Sequence, residues 1–139
     1  MSNWVYIGLV VLAIYIGLSI LLYYLQDYLL FNPEKLDKDF QYFYENQEVE
    51  EYNIETRDGA LINGLHFKVA NPKGVVLYLK GNSKSMRGWG KFAVDFTRHD
   101  YDVFMIDYRG FGKSTGRRTQ KALKNDLQSK GLKFKSQTD

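Results

Sequence analysis

The chain has 139 residues, a net charge of +3 and no cysteine. Disulfides and thiolate metal centres are therefore excluded, and so mild a charge does not by itself call for a polyanionic partner. The apolar N-terminal stretch leaves roughly a hundred residues for a soluble core, room for one modest domain.

Trp4 to Leu25, "WVYIGLVVLAIYIGLSILLYYL", carries no charge. As a helix it reaches about 33 Å, enough to cross a bilayer. It lacks the basic lead and the small-residue cleavage site of a signal peptide, so an uncleaved single-pass anchor is the expectation. Trp4 and Tyr6 at one end, and Tyr23, Tyr24 and Tyr28 at the other, fall where interfacial aromatic belts belong. No Lys or Arg precedes the helix, whereas Lys35 and Lys38 come after it among Asp27, Glu34, Asp37 and Asp39. The basic residues lean towards a cytoplasmic C-terminal side without fixing which face the soluble part occupies. Ala13 and Gly17 form a small-x-x-x-small pair, a pattern that serves helix dimers and also arises by chance.

The organisation expected is an anchor over 1–30, a juxtamembrane connector over 31–46 and a domain over 47–139. Phe31 to Tyr44, "FNPEKLDKDFQYFY", mixes proline, charge and aromatics, and its rings are expected to pack on the domain or the interface. Glu48 to Thr56 and Leu61 to Val69 alternate in polarity around Asp58-Gly59, a two-residue-turn signal, and predict a β-hairpin. Val75 to Leu79, "VVLYL", predicts a strand buried on both faces. Beyond a Gly81-Asn82-Ser83 loop, Trp89, Phe92, Ala93 and Phe96 recur at helical spacing, predicting a helix over Met86 to Arg98. Tyr101 to Ile106, "YDVFMI", predicts the next strand. Strand, crossover helix and strand make a βαβ unit with parallel strands. Thr119 predicts the N-cap of a last helix through Ala122, Leu123 and Leu127.

Towards the C-terminus Arg117, Arg118, Lys121, Lys124, Lys130, Lys133 and Lys135 are opposed only by Asp126 and Asp139. A solvated helix face and attraction to anionic lipid both account for this, while no nucleic-acid-binding motif accompanies it.

"DYRGFGKSTG", residues 107–116, carries three overlapping motif likenesses. A P-loop would need glycine where Asp107 stands, and a helix opening at Lys113-Ser114, where Thr115-Gly116 comes instead. A dinucleotide fingerprint would need its third glycine one residue before Gly116. Gly112 to Gly116 matches G-x-S-x-G, but a nucleophile elbow puts its serine within a residue or two of the strand end, and Ser114 lies well beyond Asp107. Both histidines, His66 and His99, precede Ser114, the reverse of the order that motif requires. Ser114 is therefore read as a loop serine satisfying backbone groups. His66 and His99 are read as structural or exposed, and no residue cluster suggests a metal or cofactor.

Taken together, "VVLYLKGNSKSMRGWGKFAVDFTRHDYDVFMIDYRGFGKSTG" resembles the N-terminal half of an α/β-hydrolase, in particular the membrane-anchored Bem46-like serine hydrolases. "FNPEKLDKDF" and "IETRDGALINGLHF" resemble that group's lead-in, so the likeness covers roughly Phe31 to Gln128. The resemblance implies an α/β fold in which an N-terminal transmembrane helix precedes a truncated α/β-hydrolase domain, a β-hairpin plus a βαβ unit. It also implies acyl transfer on an ester, thioester or amide, with a serine nucleophile, an acid and a histidine lying beyond the family's next parallel strand, the one that leads into the nucleophile elbow and that this chain is expected not to reach. No catalytic residue is then assigned here. Backbone groups of Gly81, Asn82 and Ser83 are the oxyanion-hole candidates by this resemblance; the alternative is a plain strand-to-helix turn.

Lys80 stands where many relatives have histidine, a change expected to alter the loop's polarity without touching its backbone. In the family's strand order "VVLYL" would be left as an unpaired edge, and the tail "SKGLKFKSQTD" fits a disrupted or early-ended reading frame. The expectation is a chain inactive alone, with the bilayer and a complementing chain or second copy as partners and no nucleic acid, metal or cofactor. The rival is a non-catalytic single-pass module that binds a protein or anionic lipid.

Overall fold

The computed structural model describes residues 2–119, 121, 122, 124 and 125 and the backbone of 133–136. It divides into two units, Met1–Phe31 and Asn32–Asp139.

The first unit is helix α1, Asn3–Leu30, with no buried residue. By length and composition it can cross a membrane. Ser19 returns its hydroxyl to the Tyr15 carbonyl at 2.8 Å, so even the polar side chain in the apolar run is satisfied within the helix.

The second unit is built on a mixed sheet: β1 (Glu48–Glu55), β2 (Leu61–Lys68), β3 (Gly74–Tyr78), β4 (Tyr101–Ile106) and β5 (Lys133–Ser136), in the order β3-β4-β2-β1-β5. β1 and β2 pair antiparallel from Glu48 opposite Lys68 to Glu55 opposite Leu61, forming the expected hairpin. β2 pairs antiparallel with β4, and β3 pairs parallel with β4 from Gly74 opposite Tyr101 to Tyr78 opposite Met105. Between β3 and β4 the chain crosses one face as α2 (Met86–Trp89), a 3-10 turn (Gly90–Ala93) and α3 (Val94–Thr97). The βαβ unit is therefore present.

Strand periodicity sorts the side chains. On the crossover face Leu65, Phe67, Met86, Ala93, Val103 and Met105 are fully buried, with Val76, Tyr78, Trp89, Phe96, Tyr42 and Tyr44 packed against them. On the other face Ile54, Ile62 and Ile106 form a smaller cluster with Phe104 and Tyr108. The connector's tyrosines thus join the domain core, while Phe43 stays exposed.

The structure departs from the sequence reading in four places. The hairpin reversal is longer than a two-residue turn: Thr56 and Ala60 close it, the Thr56 amide donating to the Ala60 carbonyl at 2.8 Å, with Gly59 at φ 79 inside. This is the three-residue type of loop ending in a left-handed glycine. The helix over Met86 to Arg98 is interrupted by a 3-10 turn at Gly90–Ala93, Gly88 and Gly90 being poor helix formers, while the Met86 carbonyl accepts both the Gly90 amide and, at 2.7 Å, the Tyr44 hydroxyl. β3 is not buried on both faces: it lies at the sheet edge, as the family's strand order implied, and Val76 and Tyr78 pack on the crossover face while Val75 (63% exposed) and Leu77 (59% exposed) alternate onto the other. β5, antiparallel to β1, forms in a lysine-rich segment whose sequence carries no strand signal. Thr119 does act as a cap, accepting from the Ala122 amide at 3.1 Å; Leu123 and Leu127 lie outside the described residues.

Phe67→Ala should cost about 3–5 kcal/mol, because the cavity opens in packed core, while Leu77→Ala should cost under about 1 kcal/mol. Urea titration of the full chain in detergent, monitored by near-ultraviolet circular dichroism, checks the contrast; equal losses would contradict the burial described.

Candidate functional site

β3 and β4 are parallel neighbours, and Tyr78 lies opposite Met105. Two residues further along each strand direction stand Lys80 and Asp107, so the register alone brings opposite charges together at the carboxyl ends of the strands. Lys80 Nζ lies 3.5 Å from Asp107 Oδ1, and neither side chain has exposed surface. The ammonium also donates to the carbonyls of Gly81 (3.3 Å) and Lys84 (3.2 Å) and lies 3.9 Å from the centroid of the Phe111 ring. Lys80 therefore grips the loop's backbone, contrary to the sequence expectation; a flexible stem with three donors reaches carbonyls that an imidazole ring would not.

Asp107 holds the other side. Its carboxylate accepts from the Met86 amide, at 3.0 Å to Oδ1 and 3.1 Å to Oδ2, which fixes the start of α2. Gly112 passes so close that a Cβ there would lie 2.1 Å from Oδ2, and its φ of 50 also demands glycine. Burial pushes the Asp107 carboxyl up to about 6 despite the opposing charge of Lys80, and burial likewise lowers Lys80.

The loop 107–116 is a chain of turns. Phe111 donates to the Tyr108 carbonyl across Gly110, whose φ of 76 suits the third position of a type II turn. Ser114 is buried, donating to the Asp107 carbonyl at 2.7 Å and accepting from the Asn63 amide at 2.8 Å. It satisfies backbone groups, as its position predicts. Arg109 makes a two-point ion pair with Asp58 at 2.6 and 2.8 Å, which holds the Asp58 carboxyl well below the usual carboxylate range. Lys113 reaches Glu51 at 2.8 Å, and Glu51 accepts from Asn63 at 2.6 Å.

The oxyanion candidates sit in the loop between β3 and α2. Gly81 and Ser83 are half-buried and Asn82 is exposed. A Cβ on Gly81 would meet the Trp89 ring at 2.9 Å, while the indole Nε1 donates to the Ser83 carbonyl at 2.9 Å. The loop thus rests on Trp89, which explains the glycine on packing grounds. Residues 32–36 run along its far side: Asn32 donates to the Asn82 carbonyl (3.2 Å) and accepts from the Lys84 amide (2.8 Å). Glu34 accepts from the Ser85 hydroxyl at 2.6 Å and pairs with Arg87 at 2.5 Å.

His66 lies apart from these loops, its Nε2 2.8 Å from Asp102. Among the described residues no cluster of His, Cys, Asp and Glu gathers as a metal site requires. A cavity of about 270 Å³ lined by Gln47, Lys68, Val94, Arg98 and neighbours lies beside the opposite ends of the strands. Sequence reasoning does not reach the roles of Lys80, Asp107 and Glu34. The available signal for the first two is a charge shortly after each of two apolar strands, in matching register.

Residues 70–128 match the family model described as "Serine aminopeptidase, S33". With the β-hairpin, the βαβ unit and this strand order, the match supports an α/β-hydrolase-like fold for this part of the chain. The protein YfhR of Salmonella typhi, itself described as uncharacterized, is 30% identical over 87 residues, 59% of this chain and 30% of its own length. YfhR of Escherichia coli (strain K12) is 36% identical over 59 residues, 42% of this chain and 21% of its own. The chain thus spans less than a third of the curated relatives it matches. Among solved structures, the Pyrococcus furiosus esterase Pf2001 superposes with a TM-score of 0.48 at 22% identity, covering 70% of this chain and 38% of the esterase. A second crystal form gives 0.47 at 23% identity, covering 64% and 35%.

Lys80→Met should destabilise the domain by about 3 kcal/mol, because it leaves the Asp107 carboxylate buried without its counter-charge. The Asp107 carboxyl titrates higher in the folded chain than its ordinary 3.8, so the folded state holds the proton more tightly. Its favourable contribution is full below about 4 and is lost as pH rises through about 6. The penalty of Lys80→Met should therefore be smaller at pH 5 than at pH 8, and paired urea titrations at the two pH values check it.

Proposed function

We propose that the chain is the N-terminal part of a membrane-anchored serine hydrolase of ester, thioester or amide bonds. It supplies the anchor, half of the sheet and one oxyanion donor from the backbone at Asn82 or Ser83, with Gly81 allowing close approach. The nucleophile, acid and base are contributed from outside these 139 residues, by further sequence or by a complementing chain, and the narrower likeness is to the Bem46-like group.

The observation that carries this reading is the state of Ser114. It is the serine of the chain's G-x-S-x-G match, and both sides of its hydroxyl are engaged with backbone, at 2.7 Å to Asp107 and 2.8 Å from Asn63. A nucleophile needs a base within hydrogen-bond reach, and Ser114 has backbone groups in that position. His66 is engaged instead with Asp102. The candidate loop, by contrast, lies at the carboxyl ends of parallel strands, where open α/β sheets bind their ligands. One oxyanion donor lowers a barrier by about 3 kcal/mol only beside an attacking group, so the chain by itself is inactive. α1 supports single-pass anchoring through its length and its charge-free run from Trp4 to Leu25.

A fluorophosphonate probe tests this. The chain alone should remain unlabelled, and a chain joined to a downstream segment carrying a second G-x-S-x-G, then an acid and a histidine, should label on that segment's serine. Ser114→Ala should cost about 1–3 kcal/mol of stability by orphaning the Asn63 amide, and leave labelling of the joined protein unchanged once folded. Covalent label on any serine of these 139 residues would overturn the proposal.

A further inference from the structure

The segment Asn32–Leu36 forms a strap across two loops. It makes two isolated parallel bridges, Asn32 with Ser83 and Lys35 with Gly112. Four backbone hydrogen bonds build them: Asn32 N–H to Asn82 O at 3.2 Å, Lys84 N–H to Asn32 O at 2.8 Å, Gly112 N–H to Glu34 O at 2.7 Å and Leu36 N–H to Gly112 O at 3.1 Å. Pro33 favours this arrangement locally, because a residue before proline is biased towards extended backbone and proline itself has no donor to satisfy.

Side chains fasten the strap at two further points. The Glu34 carboxylate accepts from Ser85 Oγ at 2.6 Å and pairs with Arg87, while Lys35 Nζ donates to the Ser114 carbonyl at 3.3 Å. Ser85 is buried and accepts from the Arg87 amide, so Glu34 also fixes the residue that caps α2. Between the candidate oxyanion residues and Ser85 stands Lys84 at φ 57, a left-handed conformation that residues other than glycine and asparagine resist. Its amide is held by Asn32 and its carbonyl by Lys80. The loop is therefore a strained one kept in place by groups on either side of it, and one of those sides is the strap.

We propose that Glu34, through its bond from Ser85, is a positioning residue that locks the loop carrying Gly81, Asn82 and Ser83 against the turn at Gly112. The inference deepens the hydrolase reading on which it rests, since it assigns the segment just beyond the apolar helix to the geometry of the oxyanion loop.

Amide hydrogen exchange on the full chain in detergent micelles tests it without a nucleophile or substrate. Glu34→Ala should speed exchange of the Lys84 and Gly112 amides by about tenfold or more, as loss of a charge-assisted hydrogen bond implies. Amides of Leu65 and Phe67 in β2 should keep their wild-type rates. Glu34→Gln, which retains an oxygen to accept from Ser85, should hold the loop within about threefold of wild type. Unchanged loop exchange in Glu34→Ala, or an equal rise in loop and β2, would overturn the assignment. So would Glu34→Gln behaving like Glu34→Ala, since the Ser85 bond would then not be what locks the loop. Because the readout involves no chemistry, a failure of probe labelling leaves this result standing, and a failure here leaves the hydrolase reading standing.

Discussion

The buried pair of Lys80 and Asp107 is the constraint around which the carboxyl end of the sheet is arranged. Two ions removed from water are tolerated only when their remaining hydrogen-bonding capacity is met. Lys80 meets that demand with two carbonyls of its own loop and the faces of Phe111 and Tyr108. Asp107 meets it with the first amide of α2. Each requirement ties down a different segment, so the loop after β3, the start of the crossover and the turns after β4 are held by one electrostatic centre. Gly112 is where the last of these must come closest, and it is there that the strap joins.

This arrangement separates the two serines at the centre of the structure by role. Ser114 closes the turn region onto β2 through Asn63, while Ser85 carries the contact between α2 and the strap. Neither hydroxyl is left over for chemistry. In the proposed reading the stretch from Gly81 to Ser83 contributes through its backbone, and a backbone site needs a scaffold far more than it needs particular side chains.

The hairpin, the two parallel strands and the crossover between them are legible in the sequence because alternation and helical spacing report burial directly. The cap at Thr119 and the structural role of Ser114 are legible because short side-chain-to-backbone bonds depend on local geometry. The interrupted crossover is not, since the ring of Tyr44, a residue far upstream, packs where a side chain at Gly90 would stand, and helical spacing of the apolar residues gives no sign of it. The edge position of β3 follows from the family's strand order, but its uncovered face is not legible in its own residues: an apolar run tells what a strand can bury, and its neighbours decide what it does bury. At the candidate site Gly81, Asn82 and Ser83 are reached only through family likeness. Lys80, Asp107 and Glu34 depend on the register of parallel strands and on a strap, neither of which leaves a periodic trace.

The indole of Trp89 lies under Gly81 and donates to Ser83, so the candidate loop and this ring share one environment. Residues 81 and 89 are consequently not free to vary independently: a side chain at position 81 needs a smaller ring at 89, and a smaller ring gives up the bond that orients the Ser83 carbonyl. The same contact makes Trp89 a built-in optical reporter: any change that lifts the loop and admits water to the ring would move its emission to the red.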